Sequence, residues 1–352
     1  MSESTDRPRK GRRRRLPLRR RLIMGLVVAL LLLAAAELTL RVTGVRSAYE
    51  MPWKGNWLGS PNLTNFRQAT HENPRGFLLN TNSRGLRTTL TEKRTPGVLR
   101  LAIMGDSTAF GWGVDDGYTV GDALRRSLTR RAKRWAGKAT RVEVLNAAQS
   151  GYSTTQVSWL FHKVVKDYKP HWVLVFVPLH DYNLVLVSDR ESIAGGADLA
   201  AGARVVLSRH SRIYALLRRM LFPHYRDHFL MPDAETNEFR VPRVSDAERQ
   251  QSFDSMRAKL KTWGGRLMVG FLPTYIDLTH APGGRPLNRK GDDWVIDYAR
   301  KTKIPLVDLR NCCGPDAASA TLPNDKGHLS AMGNALVGEA AARMLAPHFG
   351  AK

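Results

Sequence analysis

Residues Trp172–Val177 read WVLVFV, six apolar side chains without a break. Successive residues of a strand point to opposite faces, so such a run belongs in a sheet covered on both sides, which is where parallel sheets sit. Beyond Val98 the chain has the alternation that this arrangement demands. Leu99–Met104 is a short apolar strand ending in Gly105, Tyr118–Arg131 a helix, Val142–Leu145 a strand and Ser153–Tyr168 a helix. Ser245-x-x-Glu248 is a capping box opening a helix with Phe253, Met256, Leu260 and Trp263 on one face, and Gly264 closes it. Arg266–Leu272 is a fourth strand, Trp294–Lys301 a helix, Pro305–Leu309 a fifth strand and Ser330–Leu345 a final helix. The expected class is α/β: a three-layer α/β/α, flavodoxin-like parallel sheet of about five strands.

The apolar run Leu22–Leu40 (LIMGLVVALLLLAAAELTL) is too long for a strand and carries one charge, Glu37. As a helix its 19 residues reach roughly 28 Å, close to the ~30 Å hydrocarbon thickness of a bilayer. Ahead of it, residues 1–21 hold ten Lys and Arg against Glu3 and Asp6, so +8 of the formal +24 lies on this tail and +16 on the rest. Basic residues before an apolar segment stay on the cytoplasmic side, which sends everything after Arg41 across the membrane. The tail can also lie on anionic headgroups. One N-terminal transmembrane helix is therefore expected, with the rest of the chain on the far side of the membrane from the basic tail. Ala34-Ala35-Ala36 has the spacing a signal peptidase accepts, so a cleaved signal is the competing reading. The span accounts for the basic tail, and no nucleic-acid partner is expected.

The boundaries that follow are a basic tail at 1–21, the span at 22–40, an extended strand-and-turn approach at 41–96 and a main domain at 97–349. That domain holds an irregular insertion, 185–243, with a basic amphipathic helix near Ile213–Leu221. Cys312 and Cys313 are neighbours, their Cα atoms about 3.8 Å apart and below the usual disulfide range, and are read as idle thiols. His224-x-x-x-His228 has helical ligand spacing but follows Pro223 and lacks a nearby Glu, so no metal is expected. Neither G-x-x-x-x-G-K-[ST] nor G-x-G-x-x-G occurs, so no cofactor is expected.

In open α/β sheets ligands bind beyond the carboxyl ends of the strands, and four polar clusters fall there or just before the last helix. They are Gly105–Gly111 (GDSTAFG), Asn146–Tyr152 (NAAQSGY), Pro178–Asn183 (PLHDYN) and Asp325–His328 (DKGH). A serine at a strand-to-helix turn exposes its hydroxyl, but it is a weak nucleophile without a base. An imidazole can take the proton, and a carboxylate on its other nitrogen fixes the tautomer. Asp325 and His328 are three residues apart, so one tight turn is expected to present both.

These blocks resemble those of the SGNH hydrolases, also called the GDSL esterase/lipase family. Gly105-Asp106-Ser107 with Gly111 is similar to the first block, Asn146–Gly151 to the second and Asp325-x-x-His328 to the last. The resemblance implies Ser107 as nucleophile, His328 as general base and then acid, and Asp325 as its orienter, with the backbone N–H groups of Ser107 and Gly151 as oxyanion donors. The third block normally reads Gly-x-Asn-Asp, the Asn amide being another donor. Here it is Pro178-Leu179-His180-Asp181, so His180 stands at the Asn position, where it is read either as a donor through a ring N–H or as a buried histidine. Asn82-Ser83-Arg84-Gly85-Leu86-Arg87 is similar to a stretch before the GDS strand in membrane-anchored relatives, and that resemblance implies a single-pass protein of the bacterial inner membrane with its catalytic domain on the periplasmic side.

The implied activity is hydrolysis of a small ester through an acyl-enzyme on Ser107, the ester carried by a small molecule or an acylated extracytoplasmic glycan. Two alternatives stay open: an O-acetyltransferase using the same site, and a polysaccharide-binding or assembly protein whose triad is idle.

Overall fold

The computed structural model describes residues 17–43, 62–68, 75–132, 141–185, 188–190, 207, 211–221, 241–274, 278, 291–314, 319–323 and 325–350. Most of the basic tail, the approach before Asn62, most of the insertion, and His224 and His228 lie outside the described residues. The chain divides into two compact units, Met1–Glu50 with Val206–Asp227, and Met51–Val205 with His228–Lys352.

In chain order the elements are α1 (Leu18–Val42), β1 (Phe66–Gln68), β2 (Phe77–Leu79), β3 (Val98–Met104), α2 (Ser107–Phe110), α3 (Val120–Ala132), β4 (Arg141–Asn146) and α4 (Thr154–Lys163). There follow β5 (Trp172–Phe176), β6 (Leu184–Val185), α5 (Arg212–Leu221), β7 (Val241–Pro242) and α6 (Asp246–Lys261). The chain continues through β8 (Arg266–Phe271), α7 (Asp292–Thr302), β9 (Leu306–Asp308), β10 (Thr321–Leu322), β11 (Asp325–Leu329) and α8 (Ala331–Gly350). In the smaller unit α1 is long and apolar enough to cross a bilayer, and none of its apolar window is buried.

The larger unit is built on five parallel strands in the order β4-β3-β5-β8-β9, that of a flavodoxin-like sheet. WVLVFV is its middle strand, and its side chains divide between two cores. Leu174 and Phe176 join Leu101, Ile103, Leu124, Leu128, Val337 and Leu345, while Val173 and Val175 join Ala102, Met104, Leu160, Phe161, Phe253 and Leu260. The period-two alternation of β3 and β5 thus fills both helical layers at once. It is also why neither strand shows a polar face.

Three expectations are adjusted by packing. The helix after β4 stops at Val164, where the chain tightens into a 3₁₀ turn, Val165–Tyr168, that turns Val164 and Val165 into the core. The final helix runs past Leu345 to Gly350 despite Pro347, and Phe349 packs its ring 5.7 Å from that of Trp172. Strand β3, read as apolar, contains the fully buried Arg100, whose Nε lies 2.8 Å from Glu143 Oε2 on β4. The same guanidinium donates to the carbonyls of Thr91, Glu92, Lys93 and Tyr168, so the approach segment is fastened to the sheet from inside it.

Candidate active site

At the carboxyl end of β3 the chain must turn sharply from strand to helix. Gly105 allows it: a Cβ there would lie 2.9 Å from the carbonyl oxygen of Phe176 and 3.0 Å from Ala109 Cβ. Asp106 is the N-cap of α2, its Oδ1 accepting from the N–H of Thr108 at 3.1 Å. Its Oδ2 accepts from the N–H of Leu179 at 3.2 Å, which docks the third cluster against the first. Because Asp106 does the capping, Ser107 begins the helix with its hydroxyl uncommitted to the backbone.

That hydroxyl lies 2.7 Å from His328 Nε2, and His328 Nδ1 lies 2.8 Å from Asp325 Oδ2. Ser107 is 8% exposed and the His328 side chain 20%, so the pair is largely, but not wholly, shielded from solvent. The expected turn carrying Asp325 and His328 takes the form of an irregular strand. Between Leu322 paired with Asp325 and Thr321 paired with Leu329 the register slips, and Asp325 Oδ1 accepts from the N–H of Gly327 at 2.8 Å. A regular strand would send residues three apart to opposite faces, and this bulge brings them together. Burial alone would raise the Asp325 carboxyl, but the hydrogen bond and charge of His328 and the N–H groups of Gly327 and His328 outweigh it and hold it below the usual range. Ser330 caps α8, its hydroxyl accepting from the N–H of Gly333.

The second cluster is pinned to the first by the N–H of Ala147 to Ile103 O and of Gln149 to Gly105 O, at 2.9 and 3.1 Å. Two residues on, Gly151 has φ +74°, which a side chain would strain. The backbone N–H groups of Ser107 and Gly151 donate to no protein acceptor among the described residues. A free N–H on the residue that carries the hydroxyl of such a hydroxyl–imidazole–carboxylate line can stabilise charge on a carbonyl oxygen while the hydroxyl attacks its carbon, and the Gly151 N–H is carried on the loop pinned to that turn.

Two arginines hold these loops: Arg87, which ends the Asn82–Arg87 stretch, and Arg243, which no sequence pattern singles out. Arg87, buried, donates to the carbonyls of Phe110, Gly111, Val114 and Leu78 and pairs with Asp116, fixing the segment that leaves α2. Arg243, at the return from the insertion, donates Nη1 to Gly151 O at 2.8 Å, Nη2 to Gln156 Oε1 at 2.7 Å and Nε to Asp189 Oδ2 at 2.8 Å. Asp181 of the third cluster accepts from Thr154 and from Arg249 and is a structural carboxylate. The thiols of Cys312 and Cys313 stand 3.6 Å apart without a disulfide, with Cys312 pushed up by its neighbour's hydrogen bond and by burial.

His180 is buried, its Nδ1 3.5 Å from the Asn183 amide nitrogen. Burial pushes its imidazole below the ordinary 6.5, outweighing Asp106 and Asp181, with Arg243 and His328 acting in the same direction as burial. A histidine that charges more readily unfolded than folded takes stability away as pH falls below its unfolded value, by up to about 1.4 kcal/mol per pH unit. His162 and His171 are shifted downward too, and Asp189, raised by burial, acts in the opposite sense. The difference between variants isolates one group: Tm is expected to fall between about pH 7.5 and 5.5, and to fall less in His180→Asn. Equal falls in the two proteins would mean that His180 is not held neutral.

The sequence model of the GDSL-like Lipase/Acylhydrolase family matches residues 103–336. No curated protein matches the chain. Among solved structures, a catalytic mutant of the acetylxylan esterase Axe2 from Geobacillus stearothermophilus is 14% identical, with 72% of this chain and 96% of that chain covered and a TM-score of 0.41. The lipase/acylhydrolase from Enterococcus faecalis is 15% identical, with 71% and 96% covered and a TM-score of 0.42. An alpha/beta hydrolase enzyme from the metagenome of Lake Arreo, Spain, is 16% identical, with 70% and 96% covered and a TM-score of 0.41.

Proposed function

The chain belongs to the GDSL-like Lipase/Acylhydrolase family and is a serine ester hydrolase; from that premise we propose that Ser107 is its nucleophile and that it deacylates a small ester carried on an extracytoplasmic glycan. The observation that carries the reading is the unbroken line from Ser107 Oγ through His328 to Asp325, with contacts of 2.7 and 2.8 Å. Ser107 Oγ attacks the ester carbonyl carbon while His328 Nε2 takes its proton. The oxyanion is met by the N–H groups of Ser107 and Gly151, and by the ring N–H of His180 in the place where relatives have an amide. Collapse breaks the bond to the alkoxide, which takes the proton from His328, leaving an acyl group on Ser107. Water, deprotonated at the same Nε2, then releases the acid and restores the hydroxyl.

Three donors matter because loss of one typically costs about 2.7–4 kcal/mol of transition-state stabilisation. A neutral imidazole can fill the role with its single N–H, and the downward shift of His180 supports a neutral ring. The +16 outside residues 1–21 supports a polyanionic carrier for the ester. The apolar α1 behind an arginine-rich tail supports retention at the membrane with the hydrolase unit beyond it.

The test is covalent capture. Full-length protein in detergent treated with a fluorophosphonate is expected to gain one adduct, on the peptide containing Ser107, and to release acetate from an O-acetylated anionic polysaccharide. An adduct that persists in Ser107→Ala, or none in the wild type, overturns the assignment of the nucleophile. Capture without acetate release retains the nucleophile and rejects the substrate.

A further inference from the structure

Glu37 is the only charged residue of the apolar run Leu22–Leu40, and a lone carboxylate there would be costly in lipid. It is not alone. Its oxygens accept from the N–H of Arg212 at 2.8 and 2.9 Å, from the N–H of Ile213 at 3.1 Å, from the Ser211 hydroxyl at 3.2 Å and from Arg41 Nε at 3.0 Å. All but the last belong to the first turn of α5 or to Ser211 just before it, so the carboxylate of one helix caps the other. Glu37 lies one helical turn, roughly 6 Å, below Arg41. The start of α5 is thereby fixed at the depth where α1 leaves the hydrocarbon.

The chemistry of α5 suits that depth. Its sequence, RIYALLRRML, contains three arginines and no acidic residue, with Ile213, Leu216, Leu217 and Met220 at the spacing of one helical face. Leu216 and Leu217 are 37% and 51% exposed, and Leu38 of α1 is likewise uncovered. An apolar stripe flanked by arginines, tethered beside an apolar helix of bilayer length, matches a helix lying in a membrane interface.

We propose that α5 is an interfacial helix that lies on the bilayer beside α1, its leucines in the outer acyl region and its arginines among anionic phospholipid headgroups. The inference rests on α1 being a retained membrane anchor. It assigns part of the insertion 185–243 to lipid contact, separate from ester chemistry.

The experiment uses the full chain reconstituted in vesicles of phosphatidylcholine with one-third phosphatidylglycerol, and compares wild type with Leu217→Trp and, as a second site, Leu216→Trp. The emission added by each new indole is expected to be blue-shifted and to lose at least half its intensity to lipids brominated near the headgroup. The loss is expected to be smaller with bromine near the chain ends. Replacing phosphatidylglycerol by phosphatidylcholine is expected to weaken the quenching, because the arginines lose their counter-charge. Water-like, unquenched emission from both variants, while the protein stays with the vesicles, overturns the interfacial helix and leaves the anchor standing. Release of the wild-type chain by an alkaline carbonate wash overturns the anchor and this inference with it.

Discussion

Ser107→Ala and His328→Ala, made singly, are each expected to lower kcat for a chromogenic acetate ester by about 10⁶-fold, and the double variant no further. The reason is that neither group does chemistry alone. Without the imidazole the hydroxyl keeps its proton, and without the hydroxyl the imidazole has no nucleophile to activate. Asp325→Asn is expected to cost less, about 10⁴-fold, since the amide turns the wrong tautomer of His328 toward Ser107 but leaves both partners in place. KM is expected to move little in all three, because the triad acts on the transition state more than on the bound ester. Multiplicative losses in the double variant would show that the 2.7 Å contact is not a working proton path.

What could be read from the sequence, and what could not, divides along a physical line. The central, doubly covered strand followed from its apolar run, since six apolar residues without a polar break suit a strand covered on both faces, whereas the order β4-β3-β5-β8-β9 came from the structure. Ser107, Asp325 and His328 were visible because each sits in a short block whose glycines or spacing are peculiar to a turn. Arg87 stood in a recognisable stretch, but its role, like that of Arg243, was not legible, because both act on main-chain carbonyls and a carbonyl looks the same in every residue. Arg243 also reaches Gly151 across 92 positions of sequence. The approach segment, expected to be a passage toward the domain, carries Arg87 and the carbonyl of Gly85 that receives the Gln149 amide, so it supports two of the site's loops. Asp325 and His328 were expected on a turn and lie in a bulged strand, because the pairing of β10 with β11 forms only when both chain segments are present.

Arg243 supports the other large prediction. Arg243→Met removes a cation whose partner, Asp189, stays buried and keeps, among the described residues, the Ser153 hydroxyl as its side-chain donor. Breaking a buried pair from one side costs about 3–5 kcal/mol, which for a domain of this size is a fall in Tm of roughly 6–20 °C. Adding Asp189→Asn removes the stranded charge and is expected to recover most of that loss. It does not replace the third arm of the guanidinium, the one on Gly151 O. With that hold gone, the loop bearing the Gly151 N–H relaxes, and a displacement of about 1 Å at an oxyanion donor costs about 10²-fold in rate. Arg243→Met with Asp189→Asn is therefore expected to melt near the wild-type temperature yet to turn over about 10²-fold slower, with KM little changed. Arg243→Lys is expected to fall between, because one ammonium cannot span three acceptors that a planar fork reaches together. If activity returns with stability in the double variant, Arg243 only holds the fold, and the oxyanion loop keeps its shape without it.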